Sequence, residues 1–227
     1  MIELTVEDRD GSESVIAFSP VRLIIAGWTG RDAAALEAHI VELEELGIAR
    51  PKSVPIFYRV AASLLTQSAT VEMVGVEASG EVEAVLWKHD GALYVGVGSD
   101  HTDRKLEAVG ITLSKQLCAK PVSPRVWRWS DVADHWDQMV LRSTLPDTNE
   151  TYQEGGAASL RRPDELLALY ESQEGIVPDG TVMYCGTFAV HGGIRFAPAI
   201  HLELIDPVAG RSIGHGYAVD VLPIAES

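Results

Sequence analysis

Three β-like segments in close succession constrain the fold more than any other part of the chain. Residues 71–76, 81–87 and 93–97 are short apolar or alternating runs of the length that strands have. The last two runs are joined through Asp90-Gly91, a dipeptide typical of tight β-turns. No helix-like segment separates them, so we expect neighbouring strands of a mixed or antiparallel sheet.

The remainder of the chain continues this pattern of many strands and few helices. Further strands are predicted at residues 1–6, 13–18, 21–26, 54–58, 126–129, 138–143, 181–185, 200–205 and 212–221. Helices are predicted at residues 32–46 and 163–171, and residues 104–116 are either helical or irregular. The elements follow one another without a βαβ rhythm, which predicts an α+β or mainly β fold with a curled sheet.

The composition excludes several classes of function. The 227 residues carry 18 Lys and Arg against 33 Asp and Glu, a formal net charge of −15, whereas nucleic-acid binding needs a basic surface. No apolar run approaches the ~20 residues of a membrane helix, and the first residues lack the features of a signal peptide. Cys118 and Cys185 have no metal-ligand or redox spacing. We therefore expect a cytoplasmic protein without nucleic-acid or membrane partners.

Glu81 and Glu83 are the strongest candidates for a chemical site. Side chains two residues apart in a strand point to the same face, so both carboxylates can converge on one point. Asp100 follows the next apolar run. Like charges held close together repel unless a cation lies between them, and carboxylates suit Mg²⁺, Mn²⁺ or Ca²⁺. On spacing alone, the alternative is two exposed acids on a strand and an Asp that caps a turn.

Four segments of the chain resemble motifs of the fumarylacetoacetate hydrolase superfamily, in the same order and with similar spacing. Residues 81–86 resemble its Glu-x-Glu strand, and residues 98–104 resemble its Gly-Asn-Asp-x-(Ser/Thr)-x-Arg segment. Residues 150–156 are similar to its Gly-Glu-x-x-Gln-Asp-Gly segment, and residues 180–187 to its Gly-Asp-Val-Ile-x-x-Gly-Thr segment. Together they identify the chain as resembling an uncharacterised branch of that superfamily.

The resemblance implies a mixed β-roll of the superfamily's C-terminal-domain type, with a metal at one mouth of the roll. Residues 21–227 would form this catalytic domain, and residues 1–20 a preceding β-hairpin extension. Glu81, Glu83 and Asp100 would hold Mg²⁺, or Mn²⁺ or Ca²⁺ in its place. The resemblance also implies a homodimer.

The activity implied by the resemblance is cleavage of a C–C bond in a small oxo-acid, such as an acylpyruvate, through a metal-stabilised enolate. Decarboxylation, hydration or dehydration, and isomerisation of the same substrate class remain open. A descendant that binds a small acid without catalysis is a further alternative.

His39 and Glu42 resemble the superfamily's His-x-x-Glu pair, in which Glu polarises His and the pair activates water as a general base. They are three residues apart on the predicted helix 32–46 and so are neighbours on one side of it. The Asn-Tyr pair that usually precedes the His is missing, and residues 27–30 read Gly-Trp-Thr-Gly instead. The alternative is a half-buried His39 and a Glu42 that belongs to an acidic surface run.

The superfamily has a lysine before a Gly-Pro or Ser-Pro pair, and either Lys115 or Lys120 could correspond to it. Here Ser123-Pro124 marks the place. Counting back from that pair favours Lys115, which we predict to be catalytic, and counting forward from Asp100 favours Lys120 as a substrate ligand. On general grounds either lysine could be a solvated surface residue.

Further substrate-binding residues are predicted from their places in the resembling segments: Arg104, Gln153, Gly186 and Thr187. Arg59 stands where superfamily members often have Lys in a Phe-x-Lys segment, which implies a cation for a distal substrate carboxylate. Arg104 is equally consistent with a structural ion pair or with a residue that orients Asp100. Gln153 could instead be a polar loop residue, and Gly186-Thr187 a strand end.

Overall fold

The structure, a computed structural model, consists mainly of β-strands. It describes residues 1–45 and 50–225, apart from five side chains of the first helix, those at positions 35, 39, 42, 43 and 45. The strands are β1 Ile2–Glu7, β2 Glu13–Phe18, β3 Arg22–Gly27, β4 Ile56–Val60, β5 Leu65–Thr66, β6 Thr70–Val74, β7 Ala78–Ser79, β8 Val82–His89, β9 Ala92–Ser99, β10 Thr102–Asp103, β11 Lys120–Pro121, β12 Arg125–Arg128, β13 Val140–Leu145, β14 Glu150–Gly156, β15 Thr181–Tyr184, β16 Ala199–Asp206 and β17 Arg211–Leu222. The α-helices are α1 Ala33–Glu45, α2 Arg104–Glu107, α3 Ile111–Gln116, α4 Trp129–Val132 and α5 Pro163–Glu174. Short 3₁₀ turns occupy Ala62–Leu64, Ala133–Gln138 and Ala157–Ser159.

The larger sheet has eight strands in the order β2-β1-β12-β9-β8-β15-β3-β4 and is strongly curled. Phe18 on edge strand β2 and Trp87 on β8 pack edge to face with ring centroids 5.0 Å apart. These strands are four places apart in the sheet, which would separate them by about 19 Å if the sheet were flat. The sheet therefore rolls around the cluster that contains both rings.

A second sheet of five strands, β14-β13-β16-β17-β6, packs on the other face of the first. Alternation along β8 defines the two faces: Val85 and Trp87 belong to the cluster inside the roll, and Ala84 and Leu86 to the core shared with the second sheet. Parallel and antiparallel pairs occur in both sheets. This mixed, mainly β architecture confirms the predicted fold class.

Helix α5 begins at the predicted residue and ends three residues later than predicted, at Glu174. Pro163 starts α5 with a backbone angle already suited to a helix, and Gly175 follows its end with φ of 81°. The segment 104–116, for which both helical and irregular structure were open, forms the two short helices α2 and α3. Strand β14 was not predicted, because its sequence is polar and contains two glycines.

The N-terminal hairpin of β1 and β2 is an integral part of the larger sheet. β1 pairs in parallel with β12, with Thr5 opposite Arg125. Leu4 and Phe18 are buried inside the roll. The proposed boundary between this hairpin and a domain that starts at residue 21 stays a prediction. In the described ranges, no helix has the length and apolar character needed to cross a membrane.

Asp206 closes the turn between β16 and β17 with a fully buried carboxylate. Its Oδ1 accepts from the amides of Val208 and Ala209 at 3.1 and 3.0 Å and lies 3.0 Å from His135 Nε2. Arg211 Nε donates to Oδ2 at 3.2 Å. Burial by itself raises the pKa of Asp206, but these hydrogen bonds outweigh it and hold the pKa below its ordinary value.

Asp206→Asn is expected to lower the free energy of unfolding by about 1–3 kcal/mol at neutral pH, because a charged acceptor is lost. A depressed pKa stabilises the fold above the ordinary carboxyl pKa, and this contribution disappears as pH falls through the folded pKa. The two proteins should therefore converge in stability in acid. Urea unfolding at pH 7 and in acid measures this, with the exposed Asp220→Asn as control. Equal stability of wild type and variant at pH 7 would contradict the expectation.

Candidate active site

Three carboxylates converge where β8 begins and β9 ends. Glu83 lies opposite Gly98 in the antiparallel ladder of these strands, and Glu81 directly precedes β8. The amide of Asp100, just beyond β9, donates to the carbonyl oxygen of Glu81 at 3.0 Å. One carboxylate oxygen from each of Glu81, Glu83 and Asp100 lies within 4.8 Å of the others. The predicted convergence of these side chains is therefore present.

The donor set fits a hard divalent cation. All three groups offer carboxylate oxygen, the ligand that Mg²⁺, Mn²⁺ and Ca²⁺ prefer. Glu83 is 2% exposed and accepts a hydrogen bond from the Gly186 amide at 2.6 Å. Among the described side chains, no cation lies within ion-pair distance of Glu83. A buried carboxylate without a counter-ion is costly, and a bound cation would remove that cost.

Lys115, Lys120 and Arg104 supply positive charge around the other two carboxylates. Lys115 Nζ makes a short contact with Asp100 Oδ2 and lies 3.4 Å from Glu81 Oε2. Lys120 Nζ lies 3.2 Å from Asp100 Oδ1, and Arg104 Nη2 lies 3.0 Å from Glu81 Oε1. The structure therefore brings both candidate lysines to the same carboxylate.

These charges perturb the ionisation of the cluster. Burial, followed by the negative charges of Asp100 and Glu81, raises the pKa of Glu83 well above its ordinary value. Burial also acts to raise the pKa of Asp100, but Lys115 and Lys120 outweigh it and hold that pKa below its ordinary value. For Lys115, the neighbouring carboxylates outweigh burial and raise the pKa of the ammonium. Asp100 thus lies against two lysines, whereas Glu83 has no described cation within ion-pair distance and the charge of Lys115 only partly opposes the rise in its pKa.

A hydrogen-bond network connects the start of β8 to the loop that follows β15, and it involves Gly186, Thr187 and Gln153. The Thr187 hydroxyl donates to the Val82 carbonyl at 2.8 Å, and Gln153 Oε1 accepts from the Val82 amide at 2.9 Å. Gln153 Nε2 donates to the Thr187 hydroxyl at 2.9 Å and to the Phe188 carbonyl at 2.7 Å. These bonds position Glu83, which follows Val82 directly.

This network engages three of the residues predicted to bind substrate. The Gly186 amide is bonded to Glu83 and the Thr187 hydroxyl to Val82, so neither is free for a substrate carboxylate. Gln153 is 1% exposed and bonded at both ends of its amide. In this arrangement they hold the strand that carries Glu83, and their predicted roles in substrate binding stay predictions.

Arg104 and Lys120 are also engaged within the protein. Arg104 pairs with both Glu81 and Glu107, and its Nε donates to the Ser79 hydroxyl at 2.7 Å. It therefore forms the ion pair with Glu81 that was one of its predicted alternatives. Lys120 has no exposed surface and donates to backbone carbonyl groups as well as facing Asp100.

Strand register places Arg59 on the wrong face of the larger sheet for the predicted role. Arg59 lies opposite Ile24, Ile24 opposite Met183, and Met183 opposite Leu86. Leu86 points to the face opposite Glu83, because three positions separate them along β8. Arg59 instead lies 3.4 Å from the Tyr170 hydroxyl on α5.

Tyr58 is the residue of β4 that shares a face with the carboxylates, and sequence reasoning missed it. Tyr58 lies opposite Ile25, which lies opposite Tyr184, and Tyr184 lies opposite Val85, two residues from Glu83 on β8. Burial raises the pKa of the Tyr58 hydroxyl, and the positive charge of Lys115 opposes that rise. The alternation of side chains along β4 could have predicted the face on which Tyr58 lies only if the pairing register of β4 with β3, β15 and β8 had been known.

Arg59→Met is expected to leave the binding of metal and of oxalate, an enolate mimic, unchanged within about twofold, or about 0.4 kcal/mol. The reason is that its guanidinium lies across the sheet from the carboxylates. Calorimetric titration of oxalate in the presence of Mg²⁺ measures this effect, with Glu83→Gln as the variant that should lose binding. If Arg59→Met bound oxalate tenfold more weakly than wild type, Arg59 would have to contribute to the site.

A chain of buried hydrogen bonds holds the backbone of Glu81. The Ser99 hydroxyl accepts from the Glu81 amide at 3.1 Å and from the Tyr217 hydroxyl at 2.9 Å. Tyr217 in turn lies 3.0 Å from His101 Nδ1. Burial, the largest cause, lowers the pKa of His101 to about 3, so this imidazole is neutral at physiological pH. Ser99 stands where the superfamily has Asn, and its role in the network was not evident from the sequence.

His39 and Glu42 lie within α1, but their side chains are outside the described part of the structure. Their predicted role as a general-base pair therefore stays a prediction.

Comparison with known proteins identifies the family. A family model described as a protein of unknown function, DUF2848, matches residues 26–217. The chain belongs to this family. No curated protein matches the chain. The DUF2848 assignment agrees with the resemblance to an uncharacterised branch.

The fold of this DUF2848 protein is that of fumarylacetoacetate hydrolase family proteins. A candidate fumarylacetoacetate isomerase/hydrolase from Oleispira antarctica is 17% identical with a TM-score of 0.70, over 97% of this chain and 100% of that one. A yeast fumarylacetoacetate hydrolase family protein is 16% identical with a TM-score of 0.63, over 90% and 95%. A 2-keto-3-deoxyarabinonate dehydratase is 15% identical with a TM-score of 0.64, over 90% and 74%. The predicted superfamily resemblance is confirmed at the level of the fold.

Proposed function

We propose that this DUF2848 protein is a divalent-metal-dependent hydrolase that cleaves a C–C bond in a small oxo-acid of the acylpyruvate type. The observation that carries the proposal is the convergence of Glu81, Glu83 and Asp100, in which the buried Glu83 has no described counter-ion. Oxygen ligands of this kind match Mg²⁺, with Mn²⁺ or Ca²⁺ as alternatives.

The chain's own residues have distinct roles in this proposal. A bound cation would supply Lewis-acid polarisation of the substrate's carboxylate and oxo group. The Gly186 amide and Arg104 hold Glu83 and Glu81 in place through hydrogen bonds and an ion pair. Lys115 is the cation of the site that we assign to the reacting substrate. His39, polarised by Glu42, is the proposed base that takes a proton from the attacking water.

A lyase or isomerase acting on the same class of acid is the second candidate. It is favoured by the shared fold with a 2-keto-3-deoxyarabinonate dehydratase and with a candidate isomerase/hydrolase. Elimination, decarboxylation and isomerisation need no activated water that attacks carbon, so they do not need His39 and Glu42 in that role. The resemblance further supports a cytoplasmic homodimer as part of the proposal.

Loss of absorbance from an acylpyruvate, followed with Mg²⁺, with Mn²⁺ and with EDTA, tests the proposed hydrolysis. Metal-dependent cleavage that EDTA abolishes is the expected result. Product analysis separates this reaction from decarboxylation of oxaloacetate or dehydration. If metal and oxalate bind but no oxo-acid reacts, a non-catalytic acid-binding protein becomes the better description.

A further inference from the structure

The Lys115 ammonium lies among the carboxylate oxygens that would hold a divalent cation. It contacts Oδ2 of Asp100 closely and lies 3.4 Å from Oε2 of Glu81. Its other hydrogen-bond partner is the Thr102 hydroxyl at 3.4 Å, near the outer limit for such a bond. The described contacts of this ammonium are therefore directed mainly at two of the three candidate metal ligands.

The other two cations of the site are anchored elsewhere as well. Lys120 donates to three backbone carbonyl oxygens, those of His101, Lys115 and Cys118. Arg104 donates from Nε to the Ser79 hydroxyl and pairs with Glu107 in addition to Glu81. Moving Arg104 or Lys120 away from the acids would break strong bonds to other groups, whereas moving Lys115 breaks mainly its two ion pairs.

We propose that Lys115 and a divalent cation compete for Asp100 and Glu81. In the metal-free protein Lys115 is the resident counter-ion, and metal binding releases its ammonium to meet the carboxylate of an anionic substrate. This inference rests on the proposed function, because it takes the three carboxylates as metal ligands. Two cations that approach the same carboxylate oxygens repel each other strongly in a buried site. Of the cations described here around the carboxylates, Lys115 is the one without a second strong anchor.

Nuclear magnetic resonance of the wild-type protein tests the release directly. With ¹⁵N-labelled lysine, an ammonium held in a buried ion pair exchanges slowly with water and gives its own signal. Lys115→Met assigns this signal by removing it. We expect saturating Mg²⁺ to shift or abolish the Lys115 signal. A signal that stays unchanged at saturating Mg²⁺ would overturn the inference.

Calorimetric titration of Mg²⁺ or Mn²⁺ provides the second arm. Lys115→Met is expected to bind metal at least about tenfold more tightly than wild type, because a competitor is removed. In the presence of metal it should bind oxalate about tenfold more weakly, because the released ammonium is missing. Lys105→Met is the matched control, since this exposed lysine near the site carries the same charge without contacting the carboxylates.

The outcomes separate this inference from the proposed function. If wild type and Lys115→Met bind metal equally, or the variant binds it less tightly, competition is excluded while the metal site stands. If only the variant binds metal, Lys115 excludes the cation rather than being released by it, and both the inferred release and the metal-dependent function of the wild type are overturned. If neither protein binds metal, both the proposed function and the inference fail. An equal gain in affinity in Lys105→Met would overturn direct competition in favour of a long-range charge effect.

Discussion

Replacing Glu83 with glutamine is expected to abolish the rise in melting temperature that Mg²⁺ or Mn²⁺ gives the wild-type protein. Glutamine keeps the size of the side chain and an oxygen that can accept from the Gly186 amide, but it removes the charge that the metal requires. At a metal concentration one hundred times the Kd, binding stabilises a protein by about 2.7 kcal/mol, or about 5–10 °C for a chain of this size. This shift, and its further increase with oxalate, should disappear in the variant.

Thermal melting of wild type and Glu83→Gln with EDTA, Mg²⁺ and Mn²⁺ measures the effect. Glu77→Gln is the control, because Glu77 is exposed and outside the carboxylate cluster. In EDTA, Glu83→Gln should melt no lower than wild type, since it removes a buried charge that Asp100 and Glu81 repel. A metal-dependent shift that persists in Glu83→Gln would exclude Glu83 as a ligand.

Gly186→Ala is expected to cost about 2–5 kcal/mol of folding free energy, from backbone strain and overpacking together. Gly186 has φ of 99°, which side-chain-bearing residues rarely adopt, and an added Cβ would lie 1.8 Å from the Thr29 hydroxyl oxygen. The same residue donates its amide to Glu83, so any shift of the loop should also disturb the metal ligands. Urea unfolding and metal-dependent melting measure the two effects.

Gly193→Ala provides the matched control for Gly186→Ala. Gly193 has φ of 86°, but an added Cβ there meets no atom within 4 Å, so only the conformational cost of about 1–2 kcal/mol applies. Adding Thr29→Gly to Gly186→Ala should recover the steric part of the loss. Equal costs at positions 186 and 193 would show that contact with Thr29 contributes nothing.

Local sequence patterns were sufficient where one strand or one turn decides the outcome. Short apolar runs of strand length predicted β8 and β9, Asp90-Gly91 predicted their turn, and Pro163 predicted the start of α5. The Glu-x-Glu spacing was enough to predict two carboxylates on one strand face. Strand β14 was not predicted, because its polar, glycine-containing sequence carries no such pattern. Its pairing with β13 supplies the stability that its own sequence lacks.

Substrate-facing residues could not be assigned in the same way. Arg59 and Tyr58 are adjacent, and only the register across β4, β3, β15 and β8 decides which of them faces Glu83. A shift of one residue in register exchanges the two faces, and the sequence of β4 contains no signal that specifies its partner. For the same reason, the partners of Gln153 and Arg104 depend on contacts between segments distant along the chain.

The sequence by itself predicted a mainly β fold and two carboxylates on one strand face, because periodicity and spacing act over a few residues. The resemblance to the superfamily was needed to identify them, together with Asp100, as a metal-binding cluster. Only the tertiary structure decided which positive charges and hydrogen-bond donors face the carboxylates of that cluster. It buried Glu83 beside the Gly186 amide without a described counter-ion and directed Lys115 onto Asp100 and Glu81. The physical reason is that electrostatic balance in a low-dielectric interior depends on distances between side chains from separate elements, which no local pattern in the sequence encodes.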